Sequence, residues 1–481
     1  MNSKKGKNRM SSAEEAPEGA MTLEVYSPSD GVLLKTIPLN SSIDAARMLT
    51  RARQLFADRD GWLPDYKRVA ILKELANLMH DEAEAFAELI ALEGGKPLED
   101  ARVEVQRAIY GVELAAEGVF EVMSGAEVPM GRTAAARDKR AFTTFEPIGV
   151  VLAVSAFNHP LNLIVHQVIP AIAVGCPVIV KPAAKTPLNC LRLVELLAEA
   201  GLPKGWCQVC VCDNDVAEKM VRSEQINFFS FIGSAKVGWY LKSILAPGVR
   251  CALEHGGVAP AIVDQTANLD ATVASILHGA FYHAGQVCVS TQRVFAERSI
   301  IATLAKKLAE GAARCKVGHA TKEGTDVGPL IDEREVDRVD AWVQEAIASG
   351  ATCLQGGYKL NQRMYAPTVL LTPAVTAKVS TEEVFGPVVS VYGYRNLREA
   401  IDTANSLDMA FQAAVYSRDL YVVEDCIKYL DATAVMVNEN TAFRTDWMPF
   451  AGRRQSGYGV GGIEHSMRDM VQPKMAVIHL L

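Results

Sequence analysis

From residue 147 to about residue 440 the chain alternates between short, continuously apolar runs and helix-length segments, and this pattern limits the folds open to it. GVVLAVSAF, PVIVKP, the stretch around Val209 and INFFSFIG each read as a buried strand. Between them lie LNLIVHQVIPAIAVG, irregular near its proline, TPLNCLRLVELLAEAG and a helix near Ala217. Strands without polar alternation, separated by helices of roughly a dozen residues, predict a parallel sheet covered on both faces. A second block of the same kind starts near Cys251. It holds PAIV, a helix from Leu269 to Tyr282 with Asn268 as N-cap, the strand VSTQRVFA and a helix from Ile300 to Ala313. Two doubly wound α/β domains follow, with a ligand crevice at the carboxyl ends of strands.

Ahead of these blocks, two or three helical segments are expected. Pro64 opens one, Val69, Leu72, Leu75, Ala76 and Met79 recur at helical spacing, and Gly94-Gly95 closes it. Residues 127–146 and the C-terminal KMAVIHLL read as extended arms, whose apolar alternation suits pairing with a neighbouring subunit. Residues 1–21 are polar and mixed in charge, without the apolar segment of a secretory signal, and read as a disordered extension of a cytoplasmic protein. No apolar stretch approaches the roughly 20 residues a bilayer requires, so no membrane partner is expected. A net charge of −7 argues against a nucleic-acid surface. Cys207, Cys210 and Cys212 form the one cluster with a metal-like look. They lie in an apolar run with no second CxxC or His pair, which favours buried thiols over zinc, and no metal site is expected.

Four strings carry candidate chemistry: SAFNHP with Asn158, LEHGG with Glu254, GQVCVS with Cys288 and EEVFGP with Glu383. Each sits beside glycine or proline at the end of a strand-like run, where a loop can expose a side chain. A thiolate at Cys288 is a nucleophile toward a carbonyl carbon. The oxyanion formed needs fixed donors, which an Asn amide and a backbone N–H supply. A carboxylate such as Glu254 can activate water against the resulting thioester. Any one string alone reads as packing; together they make a complete acyl-transfer set.

These strings, in this order and spacing, resemble the aldehyde dehydrogenase superfamily from about residue 22 to the C-terminus. The resemblance implies the family's α/β fold: two Rossmann-like domains plus an oligomerisation arm. It places a nucleotide-binding domain at 22–126 and 147–252, the arm at 127–146 and 468–481, a catalytic domain at 253–440, and at 441–467 a loop segment returning to the substrate tunnel. It implies a homodimer or homotetramer. Cys288 would attack the aldehyde, Asn158 and the Cys288 N–H would hold the oxyanion, and Glu254 would activate the deacylating water. FIGSAKVG, with Gly233 and Ser234, resembles the family's phosphate turn, where helix N-terminal amides suit a pyrophosphate. Lys181 matches the lysine of the adenosine ribose, Glu383 the carboxylate of the nicotinamide ribose, and Phe385 would border the nicotinamide. The cofactor is expected to be NAD or NADP. Ala184 stands where NAD-preferring members often carry glutamate, and Lys185 beside it would attract a 2′-phosphate.

The implied substrate is a small anionic aldehyde. Arg107 and Arg444 fall on segments that line the family's tunnel, and guanidinium groups bind carboxylate, sulfonate or phosphonate through paired hydrogen bonds. His159, next to Asn158, would assist as a half-charged imidazole, with Trp447 and Phe450 as apolar walls. FNHP, LEHGG and FRTDWMPF together point to phosphonoacetaldehyde first, with sulfoacetaldehyde, succinate semialdehyde and lactaldehyde as alternatives. Succinate semialdehyde enzymes place arginine where this chain has His166 and often where it has Tyr282. CoA-acylating relatives usually lack the general-base glutamate, and Glu254 argues against that branch. A catalytically silent binding protein would have no use for Asn158, Glu254 and Cys288 together.

Overall fold

The computed structural model describes residues 21–480, so the expectation for residues 1–21 lies outside the described residues apart from Met21. Strands Cys207–Val209, Val178–Lys181, Val151–Val154, Phe228–Ile232 and Arg250–Glu254 lie side by side and parallel, and the short strand Gly457–Tyr458 adds antiparallel to the last. Their continuous apolarity has a direct cause. Val151, Ala153, Val178 and Val180 face one core, while Val150, Leu152, Ile179, Phe229 and Phe231 face another. Successive side chains point to opposite faces, and both faces are covered, so apolar residues dominate and a polar one such as Ser230 stays only with a hydrogen-bond partner, here Gln167.

The second sheet repeats this logic with seven strands, in the order Thr352–Gln355, Thr368–Leu371, Val388–Tyr394, Thr291–Glu297, Ala259–Val263, Gln412–Tyr416 and Ala434–Val437. All pairs are parallel except the first. Ala261, Val263, Val294 and Ala296 face one core and Ile262, Phe295, Ala413 and Val415 the other. The first sheet runs on to Glu254, beyond the boundary expected at residue 252, and the second begins only at Ala259.

The two arm segments meet each other. Val471–His479 pairs antiparallel with Lys139–Pro147, which also pairs with Glu127–Val128. Met475, Val477 and Ile478 remain exposed on this small sheet. Two features depart from the expected N-terminal helices. Thr22–Tyr26 and Leu33–Pro38 form an antiparallel hairpin before the first helix. The single helix expected between Pro64 and Gly95 is two, Asp65–Asp81 and Ala83–Gly94, broken at Glu82 and closed by Gly95 in the left-handed conformation. Among the described residues, no helix is long and apolar enough to cross a membrane.

Candidate active site

A cavity of about 950 Å³ lies between the two sheets. On the first sheet's side its walls are loops leaving strand carboxyl ends: Ser155–His159 after Val154, Gly233-Ser234 after Ile232, and Glu254–Gly256 at the end of Arg250–Glu254. On the other side the expectation is reversed. Cys288 precedes the strand Thr291–Glu297, and Glu383 and Phe385 precede Val388–Tyr394, so the second sheet contributes from its amino edge.

Cys288 is presented by an unusual backbone. His283, Ala284 and Gly285 all have positive φ, at 48°, 55° and 71°. Two of these are not glycine, and each such residue costs about 1–3 kcal/mol of local strain. Gln286 holds the turn in place. Its side chain donates to the carbonyls of His283 and Pro329 and accepts from the Ile331 N–H at 2.9 Å. A Cβ on Gly285 would lie 2.1 Å from the Gly386 carbonyl oxygen, so only glycine fits there.

Glu254 and Cys288 meet in this cavity, the thiol donating to Glu254 Oε1 at 3.9 Å. Burial and then the Glu254 charge push the thiol well above its ordinary range, opposed by Arg444. Burial also raises the Glu254 carboxyl, and Arg444 again opposes. The Asn158 amide donates one N–H to the Gln286 carbonyl at 2.9 Å, which fixes its plane beside the turn that carries Cys288. Its loop is anchored from below, where the buried carboxylate of Glu104 accepts the N–H groups of Leu161 and Asn162 and pairs with the buried Lys96.

Gly233, Ser234, Glu383 and Phe385 line the same cavity. Helix Ala235–Ser243 begins at Ser234 with no side-chain cap, so its first amides are free for an anion. Glu383 accepts from the Gly257 N–H at 3.3 Å, and burial raises its carboxyl to about 8. A Cβ on Gly256 would fall 1.9 Å from this carboxylate, so the glycine makes room for it. An uncapped helix start, a cradle that excludes Cβ and a carboxylate at the far wall fit a dinucleotide. Lys181 is buried behind the lining and Ala184 is exposed beside it; their neighbours Ala183 and Lys185 are the ones that reach the cavity. The Lys185 ammonium lies 3.3 Å from Asp332, which lines the same cavity.

Arg107, His159 and Arg444 also line the cavity, in three different electrostatic states. Arg107 spends its charge on Asp446, with Nε to Oδ2 at 3.1 Å and Nη2 to Oδ1 at 2.9 Å. His159 is neutral, against the half-charged expectation, because burial and then the nearby Lys96 charge drive its pKa well below 6.5. Arg444 stacks on the Phe450 ring, its central carbon 3.6 Å from the centroid. Among the described residues no carboxylate forms an ion pair with Arg444, and its Nε is buried without a hydrogen-bond partner. Phe450 is thus a wall as expected. Trp447 is not: it is largely exposed and packs edge-on against Tyr110 outside the cavity.

Two residues the sequence reading passed over are central here. Asp446 stood in FRTDWMPF without a role, and it collects Arg107, His166 and Asn162 around one buried carboxylate. Glu104 could have been noticed, since it puts a charge on the apolar face shared with Ala101, Val105 and Ala108.

The aldehyde dehydrogenase family profile matches residues 15–476. The 3-sulfolactaldehyde dehydrogenase of Priestia aryabhattai is 36% identical, over 86% of this chain and 87% of its own length. Aldehyde dehydrogenase 21 of Physcomitrella patens, solved with its reaction product succinate, superposes with a TM-score of 0.93 at 30% identity, covering 97% of this chain and 96% of that one. Glyceraldehyde-3-phosphate dehydrogenase of Methanocaldococcus jannaschii, solved with NADP, gives 0.90 at 32% identity, covering 95% and 99%. On the family profile and the fold, this chain belongs to the aldehyde dehydrogenase family and oxidises aldehydes with NAD or NADP.

Proposed function

We propose that the enzyme oxidises a short aldehyde carrying one negative charge, a carboxylate or sulfonate, to the corresponding acid. The observation that carries this reading is Arg444, a cation in the reaction cavity that feels the Glu254 and Asp446 charges but, among the described residues, is held by no carboxylate in an ion pair. Arg107 already answers Asp446, and Asp100, whose carboxyl burial raises to about 6, lines the same cavity. One free cation suits one anion, and a phosphonate dianion would face the acidic groups with its second charge uncompensated. Among the relatives, a sulfonated aldehyde in one and succinate as the product of another support a monoanionic substrate, whereas the glyceraldehyde-3-phosphate of a third is a phosphate.

The chemistry follows from the groups around Cys288. Its thiol gives up a proton, for which Glu254 is the neighbouring acceptor, and the sulfur adds to the aldehyde carbon. The second N–H of Asn158 and the Cys288 backbone N–H stabilise the oxyanion. A dinucleotide held by the Gly233-Ser234 turn, Glu383 and Phe385 would supply the hydride acceptor. Once it has passed the thiol proton on to solvent, Glu254 takes a proton from the water that hydrolyses the Cys288 thioester. Its raised pKa brings it nearer to neutral, where a general base is most effective.

The test is a panel of short aldehydes ending in sulfonate, carboxylate, phosphonate or methyl, assayed with NAD and with NADP. A monoanion should give the highest kcat/KM; an uncharged aldehyde in first place overturns the reading. Arg444→Ala should raise KM for the monoanions by about 10- to 100-fold, the worth of a charge-assisted hydrogen bond. An equal effect on the methyl-ended aldehyde would remove Arg444 from substrate binding.

A further inference from the structure

Arg444 poses a problem that its surroundings solve. A flexible guanidinium must be aimed to bind an anion well, yet the usual way of aiming it, a carboxylate partner, would consume the charge the substrate needs. Here the hydrogen-bond partner is a histidine. His166 Nε2 lies 2.8 Å from Asp446 Oδ1, and His166 Nδ1 lies 3.4 Å from Arg444 Nη2. A carboxylate facing Nε2 requires the proton there, which leaves Nδ1 with a lone pair toward the arginine. Burial and then the Arg444 charge hold His166 down to about 4, so the ring is neutral in the working range.

We infer that His166, fixed in one tautomer by Asp446, is the positioning residue that aims Arg444 at the substrate anion without neutralising it. The local structure serves this arrangement. Asn162 and His166 are one turn apart on helix Asn162–Val174, and both donate to Asp446. Arg107 clamps the same carboxylate from helix Leu98–Met123, so the acceptor cannot turn away from the ring. Phe450 supports the other face of the guanidinium through its π-system, again without a formal charge. At 3.4 Å the contact to His166 is long, so Arg444 is oriented but loses little when it turns to a ligand.

This role rests on the reading of the substrate as a monoanion, and the experiment separates the two. Wild type, His166→Leu and His166→Gln are compared on a carboxylate-ended aldehyde and its methyl-ended counterpart, with thermal melting and nucleotide binding confirming the fold of each. His166→Leu should raise KM for the anionic aldehyde about tenfold more than for the uncharged one, the scale of a small misplacement of a binding group. His166→Gln should recover most of that selectivity, because its amide can donate to Asp446 while its oxygen accepts from Arg444. If the leucine variant does not fold, His166→Asn replaces it; too short to bridge both partners, it should lose selectivity as leucine would. Equal loss on both aldehydes, or no recovery with glutamine, overturns the positioning role alone. A wild type that does not prefer the anionic aldehyde overturns the substrate reading and this inference with it.

Discussion

At the reacting end of the cavity, Cys288, Glu254 and Asn158 each stand within a few residues of a strand, in loops shaped by glycine or proline. At the recognition end, Asp446 draws together Arg107, His166 and Asn162, which lie 339, 280 and 284 positions away in the chain. The first constellation starts from local backbone, with positive φ at residues 283–285, and is tied down by the Gln286 side chain, which reaches Pro329 and Ile331. The second is set by a buried carboxylate on which two helices and a late loop converge. On the proposed reading, a turn of distinctive backbone serves the bond-making, and the balance of buried charges serves the choice of aldehyde. The two ends should respond differently to substitution.

The largest effect is expected at the reacting end. Cys288→Ser should reduce kcat by about 10³-fold or more, while nucleotide affinity, followed by fluorescence titration, stays within a small factor. A variant retaining a tenth of wild-type turnover would mean that Cys288 is not the nucleophile.

At the recognition end the effect should fall first on stability. Asp446→Ala leaves the partly buried Arg107 and the buried His166 without their partner and should destabilise the fold by about 3 kcal/mol in denaturant titration. The pH dependence has a definite sign. Although burial opposes it, the hydrogen bonds from His166 and Arg107 hold the Asp446 carboxyl well below the usual range. A depressed native pKa contributes stability above the unfolded value of about 4, and that contribution is lost as pH falls below it. The gap between wild type and Asp446→Ala should therefore shrink on acidification. A gap under about 1 kcal/mol at neutral pH would show that Arg107 finds other compensation.

The smallest effect sharpens the reacting end. The Glu254 charge helps to raise the Cys288 thiol, so Glu254→Gln should lower it and speed alkylation by iodoacetamide at pH 8 by about threefold. Slower alkylation would mean that Glu254 acts on the free enzyme chiefly as the proton acceptor of the thiol.

The same division explains what could be read before any coordinates. Cys288, Glu254, Asn158, Gly233, Ser234, Glu383 and Phe385 all line the cavity, and each stands in a short string marked by glycine or proline near a strand, which is what makes them legible in the sequence. Arg107 and Arg444 were both placed at the tunnel, and both line the cavity. Their opposite states, one neutralised and one free, depend on an aspartate in a loop that carries no periodic signal. The hairpin Thr22–Tyr26 and Leu33–Pro38 was missed for a related reason: Tyr26 and Leu33 are exposed, which blurs its alternation. The break at Glu82 was missed because apolar spacing continues across it into Phe86, Ala87 and Ile90.

By itself, the sequence determined the layered α/β plan and the short strings that carry the candidate chemistry, since continuous apolar strands admit burial on both faces and glycine-bounded loops admit few conformations. Only the tertiary structure decided which charges in the cavity remain available. Whether an arginine is a spent partner or an open receptor depends on which carboxylate lies within hydrogen-bonding distance. Coulombic energy falls with separation in space, whatever the separation along the chain.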